Sequence, residues 1–235
     1  HWMVRRQRQM CIRDSLWMAG LHFKKMKDVH IIGTGGLSKE LIGYLSDDNK
    51  HNLLGCWGEK DFNNPNLSKF YKGNFETFKK SFKKNDIVFI AIAEPLVRKR
   101  IYDELKAYEL VFDSYIHPSC IISPFAKIGM GCILAPGTML TGDPKLENFV
   151  FTNTEVVIGH DAKVGKYCTF FPKVEICGDC MVGDMCVFGI NSIVLPKMNV
   201  CNNSKLDAGS ILRESIKEPS LYSGNPAKMI KKYKR

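Results

Sequence analysis

No run of 18 or more apolar residues occurs in the 235-residue sequence, and its longest apolar strings, such as Ile87 to Ala93, have the length of a strand. A helix crossing a bilayer needs about 20 such residues, so no membrane partner is expected and the working compartment is the cytoplasm. A secretory signal is lacking too, because Leu16 to Leu21 is too short for an apolar signal core and no small-residue cleavage site follows. Histidine is scarce: of six, only His117 and His160 fall in or beside the repeat described below. A three-His zinc site cannot be assembled from that segment, and no metal is expected. Also missing is a basic face interleaved with aromatics across the body of the chain, the usual mark of a nucleic-acid partner.

The net charge of +10 does not contradict this. Residues 1–25 hold six basic residues (Arg5, Arg6, Arg8, Arg13, Lys24, Lys25) against Asp14, with no packing period, and read as a non-native or disordered leader ahead of Met26. The remaining excess is concentrated in the last eight residues, where Lys228, Lys231, Lys232, Lys234 and Arg235 read as a solvated tail.

What the sequence does have is a six-residue period. Beginning at Ile122, every sixth residue through Leu212 is apolar in fifteen of sixteen positions, Thr152 being the exception. Four places further on, small residues recur, among them Ala126, Cys132, Cys168, Cys180, Cys186, Ser192 and Ser204. Two inward positions per six residues predict a parallel β-helix of about five coils, with three short strands per 18-residue turn. Glycines after the apolar position (Gly129, Gly159, Gly165, Gly183, Gly189) are expected at corners where a side chain would clash or φ must be positive. The repeat also accounts for the cysteines as small inward spacers, which fits a reducing compartment and leaves Cys177 and Cys180 at different rung positions.

Ahead of the repeat, strands and helices alternate. Val29–Ile32 reads as a strand, Gly33–Gly36 as a tight glycine turn, Leu37–Leu45 as a helix, Leu53–Trp57 and Ile87–Ala93 as strands, and Arg98–Tyr108 as a helix. That order predicts a small parallel α/β domain over residues 26–113, joined to the coil domain over 114–235 through Ser114 to Ser119. A glycine turn between strand and helix is a phosphate cradle in form. A dinucleotide fingerprint would need a glycine where Ser38 stands and an acid where Gly58-Glu59 only approximates one.

The segments IIGTGGLSKELIGYL, IAIAEPLVRKRIYDEL, IHPSCIISPFAKIG, VIGHDAKVG, GINSIVLP and YSGNPAKMI resemble, in that order, the sialic acid O-acetyltransferase and bacillosamine-type amino-sugar N-acetyltransferase family. The likeness spans roughly Lys27 to Lys232. It implies an N-terminal Rossmann-like domain for a nucleotide sugar, a left-handed β-helix for acetyl-CoA, and a homotrimer with sites between neighbours. By position, Gly33, Thr34, Gly35 and Gly36 match the nucleotide-sugar turn, His160 the catalytic base and Asp161 the acid that raises its basicity. Gly178, Ile190, Ala208 and Gly209 match positions along the acetyl-CoA groove. The sequence departs from the family at Leu37, Gly58 and Ala93, all on the sugar-nucleotide side, and at Thr169, where some members carry a cofactor-contacting His. The resulting expectation is acetyl transfer to an amino group, the 4-amino group, of a nucleotide-linked sugar in bacterial glycan biosynthesis. Sugar O-acetylation and a non-catalytic nucleotide-sugar-binding trimeric scaffold stand as alternatives.

Overall fold

A computed structural model describes residues 26–47 and 50–233; the leader expected over 1–25 lies outside the described residues. Four parallel strands open the fold: β1 (Lys27–Ile32), β2 (His51–Trp57), β3 (Tyr71–Gly73) and β4 (Ile87–Ile90), in the sheet order β3-β2-β1-β4. All four residues of β4 are buried, as a parallel strand covered on both faces requires. Helix α1 (Gly36–Ser46) turns Leu37, Leu41, Ile42 and Leu45 inward, the i, i+4 stripe its sequence shows. Two single-turn helices, α2 (Pro65–Ser68) and α3 (Phe75–Phe78), flank β3, and α4 (Pro95–Leu105) follows β4.

Three expectations shift. The strand expected to reach Ala93 ends at Ile90, because Ala91 to Ala93 leave the sheet and wall a cavity. The last helix starts three residues early, since Pro95 takes a first-turn position where its missing N–H costs nothing, and it ends at Leu105. The segment expected as a linker already contains the first coil strand, β5 (Tyr115–Ile116), one rung before Ile122.

From β5 to β21 (Ile211–Leu212) the chain winds through two-residue strands in three parallel sheets, a left-handed parallel β-helix. Each strand pairs in register with the one 18 residues on, as in Lys127, Lys145 and Lys163. The apolar column is buried throughout its middle, with Phe170 and Phe188 stacked at 4.9 Å. Thr152, the polar exception, meets Thr138 in the core at 2.9 Å between hydroxyl oxygens. Cys132, Cys168, Cys180 and Cys186 are fully buried spacers, as expected.

The corner glycines have only one of their two expected roles. A Cβ on Gly159 or Gly165 would lie within 2.8 Å of backbone or Asp184 atoms of the next coil, yet neither residue has positive φ. The left-handed backbone falls two residues later, on Phe149, Glu155, Asp161, Tyr167 and their equivalents, φ 57° to 65°. Coil closure dictates φ there whatever the side chain.

The residue preceding each large apolar one points outward and gives each face its character. One face carries Tyr115, Ile133 and Phe151, which share a core with Val29, Ile31, Leu41 and Phe89 of the α/β domain. A second carries Ile121, Met139, Val157, Ile193 and Ile211, interrupted by Glu175. A third carries Lys127, Lys145 and Lys163. A hairpin that the repeat did not forecast, β22 (Ser220–Gly224) and β23 (Ala227–Lys232), extends the first face. There Lys228 and Lys232 pair with Glu214 and Glu218, so part of the expected solvated tail is neutralised.

Candidate functional site

A cavity of about 390 Å³ opens at the carboxyl ends of β1 and β4, where the connections leave the sheet in opposite directions. Open α/β sheets bind ligands at such a point. Gly33, Thr34, Gly35 and Gly36 all line it, with Trp57, Gly58, Glu59, Ala93, Arg100 and Glu104. Gly33 has φ +124°, and a Cβ there would sit 2.7 Å from the Ala91 carbonyl oxygen, so only glycine fits. Gly35 caps α1 with no side-chain acceptor, and no acid occupies the first turn, which leaves the helix N-terminus to face an anion. Gly58, one of the departures from the family, has a local reason: its Cβ would lie 2.7 Å from Thr34 Oγ1. The acid at this end of β2 is Glu59, one place later.

The second centre is a corner of the β-helix. His160 and Asp161 follow the strand Val157–Ile158, and Asp161 Oδ2 lies 2.7 Å from His160 Nδ1. The Asp161 backbone N–H donates to Asp143 Oδ1 at 3.0 Å, and the Asp179 N–H donates to the His160 carbonyl. Glycines stand one coil away on either side: a Cβ on Gly142 would meet His160 Cβ at 2.5 Å, and one on Gly178 would meet His160 Cε1 at 2.5 Å. The absent side chain of Gly178 therefore makes room for the imidazole, and that of Gly142 for the His160 Cβ. Gly142 and Asp143 were not singled out in the sequence, although counting back 18 residues from His160 and 18 from Asp161 finds them.

Gly178 adjoins His160, whereas Ile190, Ala208 and Gly209 do not. They sit at the preceding corner of the coil, where the Gly209 N–H donates to the Ile190 carbonyl at 2.8 Å. The two corners border opposite edges of the face bearing Met139, Val157 and Ile193. Thr169 is 1% exposed and its hydroxyl donates to the Ala93 carbonyl, so burial in the domain joint removes it from any cofactor groove.

Residues 28–105 match the PglD N-terminal domain family. The glycine turn and the lining of the cavity lie within the matched residues, and the coil lies beyond them. Among curated proteins, the chain is 23% identical over 105 residues to the GDP-perosamine N-acetyltransferase of Escherichia coli O157:H7, covering 45% of this chain and 48% of that protein. It is 29% identical over 98 residues to the UDP-3-O-acylglucosamine N-acyltransferase of Herminiimonas arsenicoxydans, covering 42% of this chain and 27% of that one. The chain thus spans half or less of the length of these relatives. Among solved structures, the acetyltransferase domain of PglB from Neisseria gonorrhoeae superposes with TM-score 0.80 at 20% identity, covering 87% of this chain and 100% of that one. PerB from Caulobacter crescentus, solved with CoA and GDP-perosamine, gives 0.78 at 22% identity, covering 88% and 98%. A small parallel α/β domain followed by a β-helix is therefore the fold that this chain shares with these structures. Among the described residues no helix is long and apolar enough to cross a membrane.

Proposed function

We propose that this protein is an acetyl-CoA-dependent N-acetyltransferase that acylates the 4-amino group of a nucleotide-linked sugar, with His160 as general base. The observation that carries the reading is the His160–Asp161 pair, held at 2.7 Å on a coil corner between two glycines. With its Nδ1–H donated to the carboxylate, the ring presents Nε2 as the proton acceptor. Acetyl-CoA supplies an activated acetyl thioester. His160 Nε2 takes the proton that the amine sheds as its nitrogen bonds the acetyl carbon, and the carbon–sulfur bond breaks. The imidazolium then returns the proton to the departing thiolate, with Asp161 offsetting its charge meanwhile.

Nucleotide-sugar binding is assigned to the cavity at Gly33 to Gly36, supported by the matching PglD N-terminal domain and by the GDP-perosamine complex of the PerB structure. Gly178, Ile190, Ala208 and Gly209 are assigned to acetyl-CoA. Because Gly178 and the other three lie on opposite edges of one apolar face, a threefold arrangement that buries this face brings one copy's His160 edge to its neighbour's Ile190 edge. That supports a homotrimer with shared sites. All eight described cysteines are free thiols, which favours the cytoplasm.

The test is release of CoA thiol from acetyl-CoA with UDP-, GDP- and dTDP-linked 4-amino sugars. A hydroxylamine-resistant product identifies the amide, a labile one identifies an ester, and no thiol release with any acceptor defeats the proposal in favour of a binding scaffold.

A further inference from the structure

Arg98, on α4, is 1% exposed and, among the described residues, has no carboxylate in contact. Its charge is instead distributed over backbone oxygens of both domains. Nε donates to the Phe149 carbonyl at 3.0 Å, and Nη2 donates to those of Tyr167 and Cys168 at 2.7 and 3.1 Å and to Thr169 Oγ1 at 3.1 Å. Nη1 turns the other way, to the carbonyls of Ile92 and Ala93. Burial lowers the guanidinium to about 10, so it stays charged at neutral pH. Replacing it takes the guanidinium donor from the carbonyls of Phe149, Tyr167 and Ile92 and leaves those of Cys168 and Ala93 with the Phe151 N–H and the Thr169 hydroxyl, a large local effect for one side chain.

The location of those carbonyls is informative. Ile92 and Ala93 form a wall of the cavity assigned to the nucleotide sugar, while Phe149, Tyr167 and Cys168 belong to successive coils of the β-helix. Thr169 adds a second tie through its hydrogen bond to the Ala93 carbonyl. Ala91 is still held by its N–H on the Ile32 carbonyl, but Ile92 and Ala93 have left the sheet. We infer that Arg98, with Thr169, is a positioning residue for the nucleotide-sugar cavity: it sets the Ile92–Ala93 wall against the β-helix, which makes nucleotide affinity depend on the joint between domains. This rests on the reading of the cavity given above.

The experiment is calorimetric titration of the full-length protein with UDP, GDP and dTDP, and separately with CoA, for wild type, Arg98→Lys, Arg98→Met and Thr169→Val. Lysine keeps the charge but has three donors from one atom and cannot span both domains. Arg98→Lys is expected to weaken the preferred nucleotide at least tenfold with CoA affinity unchanged, Arg98→Met to do so more severely, and Thr169→Val about threefold. A folded Arg98→Lys protein that binds both ligands as wild type does overturns the inference, as does equal weakening of nucleotide and CoA, which marks a purely structural role. If the Arg98 variants do not fold, Thr169→Val decides alone, and wild-type nucleotide affinity there overturns it. Wild type binding none of the three nucleotides removes the cavity assignment and this inference with it, whereas a binding wild type with an indifferent variant removes the inference only.

Discussion

The Asp161 carboxylate reaches His160 Nδ1 at 2.7 Å from a left-handed backbone, φ 58°, in a turn that Asp143 secures through the Asp161 N–H. Neither acid is buried, so the arrangement is maintained by coil geometry and by hydrogen bonds between adjacent turns. Removal of the imidazole should therefore leave the fold intact. His160→Ala is expected to retain its circular dichroism spectrum and CoA affinity while turnover falls roughly 10²- to 10⁴-fold. Asp161→Asn should lose less, since the amide still orients the ring but no longer offsets the imidazolium charge. Partial recovery of His160→Ala at high pH would mark an amine acceptor that loses its proton to solvent.

Gly178 tests the packing of the same ring. Its backbone is not left-handed, so alanine introduces no backbone strain, but the new Cβ would collide with the imidazole edge. Gly178→Ala is expected to cut kcat by about tenfold or more with a melting temperature within a few degrees of wild type. Unchanged kcat would mean that the ring position does not matter.

A stability prediction concerns Ser192, whose buried hydroxyl has no hydrogen-bond partner among the described residues. Ser192→Ala removes the unsatisfied group and should be neutral or stabilising by about 1 kcal/mol in urea titration. Thr152→Val, which breaks the Thr138–Thr152 contact, should cost about 1 kcal/mol.

The thiols supply a fourth test. Burial raises Cys56 to about 12 and Cys132 to about 11, and pushes Cys168 well up as well. A raised thiol pKa leaves less thiolate at a given pH, and thiolate is the reactive form. At pH 8 these three should resist a disulfide reagent until the protein unfolds. Of the described cysteines, the partly exposed Cys120, Cys177 and Cys201 should react first, as mass spectrometry of labelled peptides would reveal.

The coil was legible because its strands are fixed by counting: an apolar residue every sixth place needs no knowledge of tertiary contacts. The α/β strands β1, β2 and β4 were legible from their apolar runs, whereas Tyr71–Gly73, with one half-buried aromatic, has no pattern to announce it. The left-handed corners escaped notice because no one residue type marks them: Asp161, Asn191 and Asn203 tolerate that backbone, but so placed are also Glu155 and the bulky aromatics Phe149 and Tyr167. Their rings stack at 5.2 Å under the α/β domain, and that burial offsets the local strain. Arg98 was unreadable for a similar reason. In sequence it is one of three consecutive basic residues on a helix, and only the fold shows which of them turns into the joint. The glycine turn was legible, while the separation of His160 from Ile190, Ala208 and Gly209 depends on which corner each rung reaches.

Because partners in the β-helix are 18 residues apart, the molecule has a unit of length that it cannot subdivide. Loss of one six-residue rung would leave the inward pattern intact, yet turn everything downstream by a third of a revolution. A deletion between Leu146 and Thr152 would bring Val157 under the α/β domain, put His160 on the corner now held by Thr154, and carry Lys163 onto the apolar face. An insertion or deletion that preserves the outer faces must therefore be a whole turn or a bulge at a corner, and a single rung is the smallest lesion that keeps the core while exchanging its three outer faces.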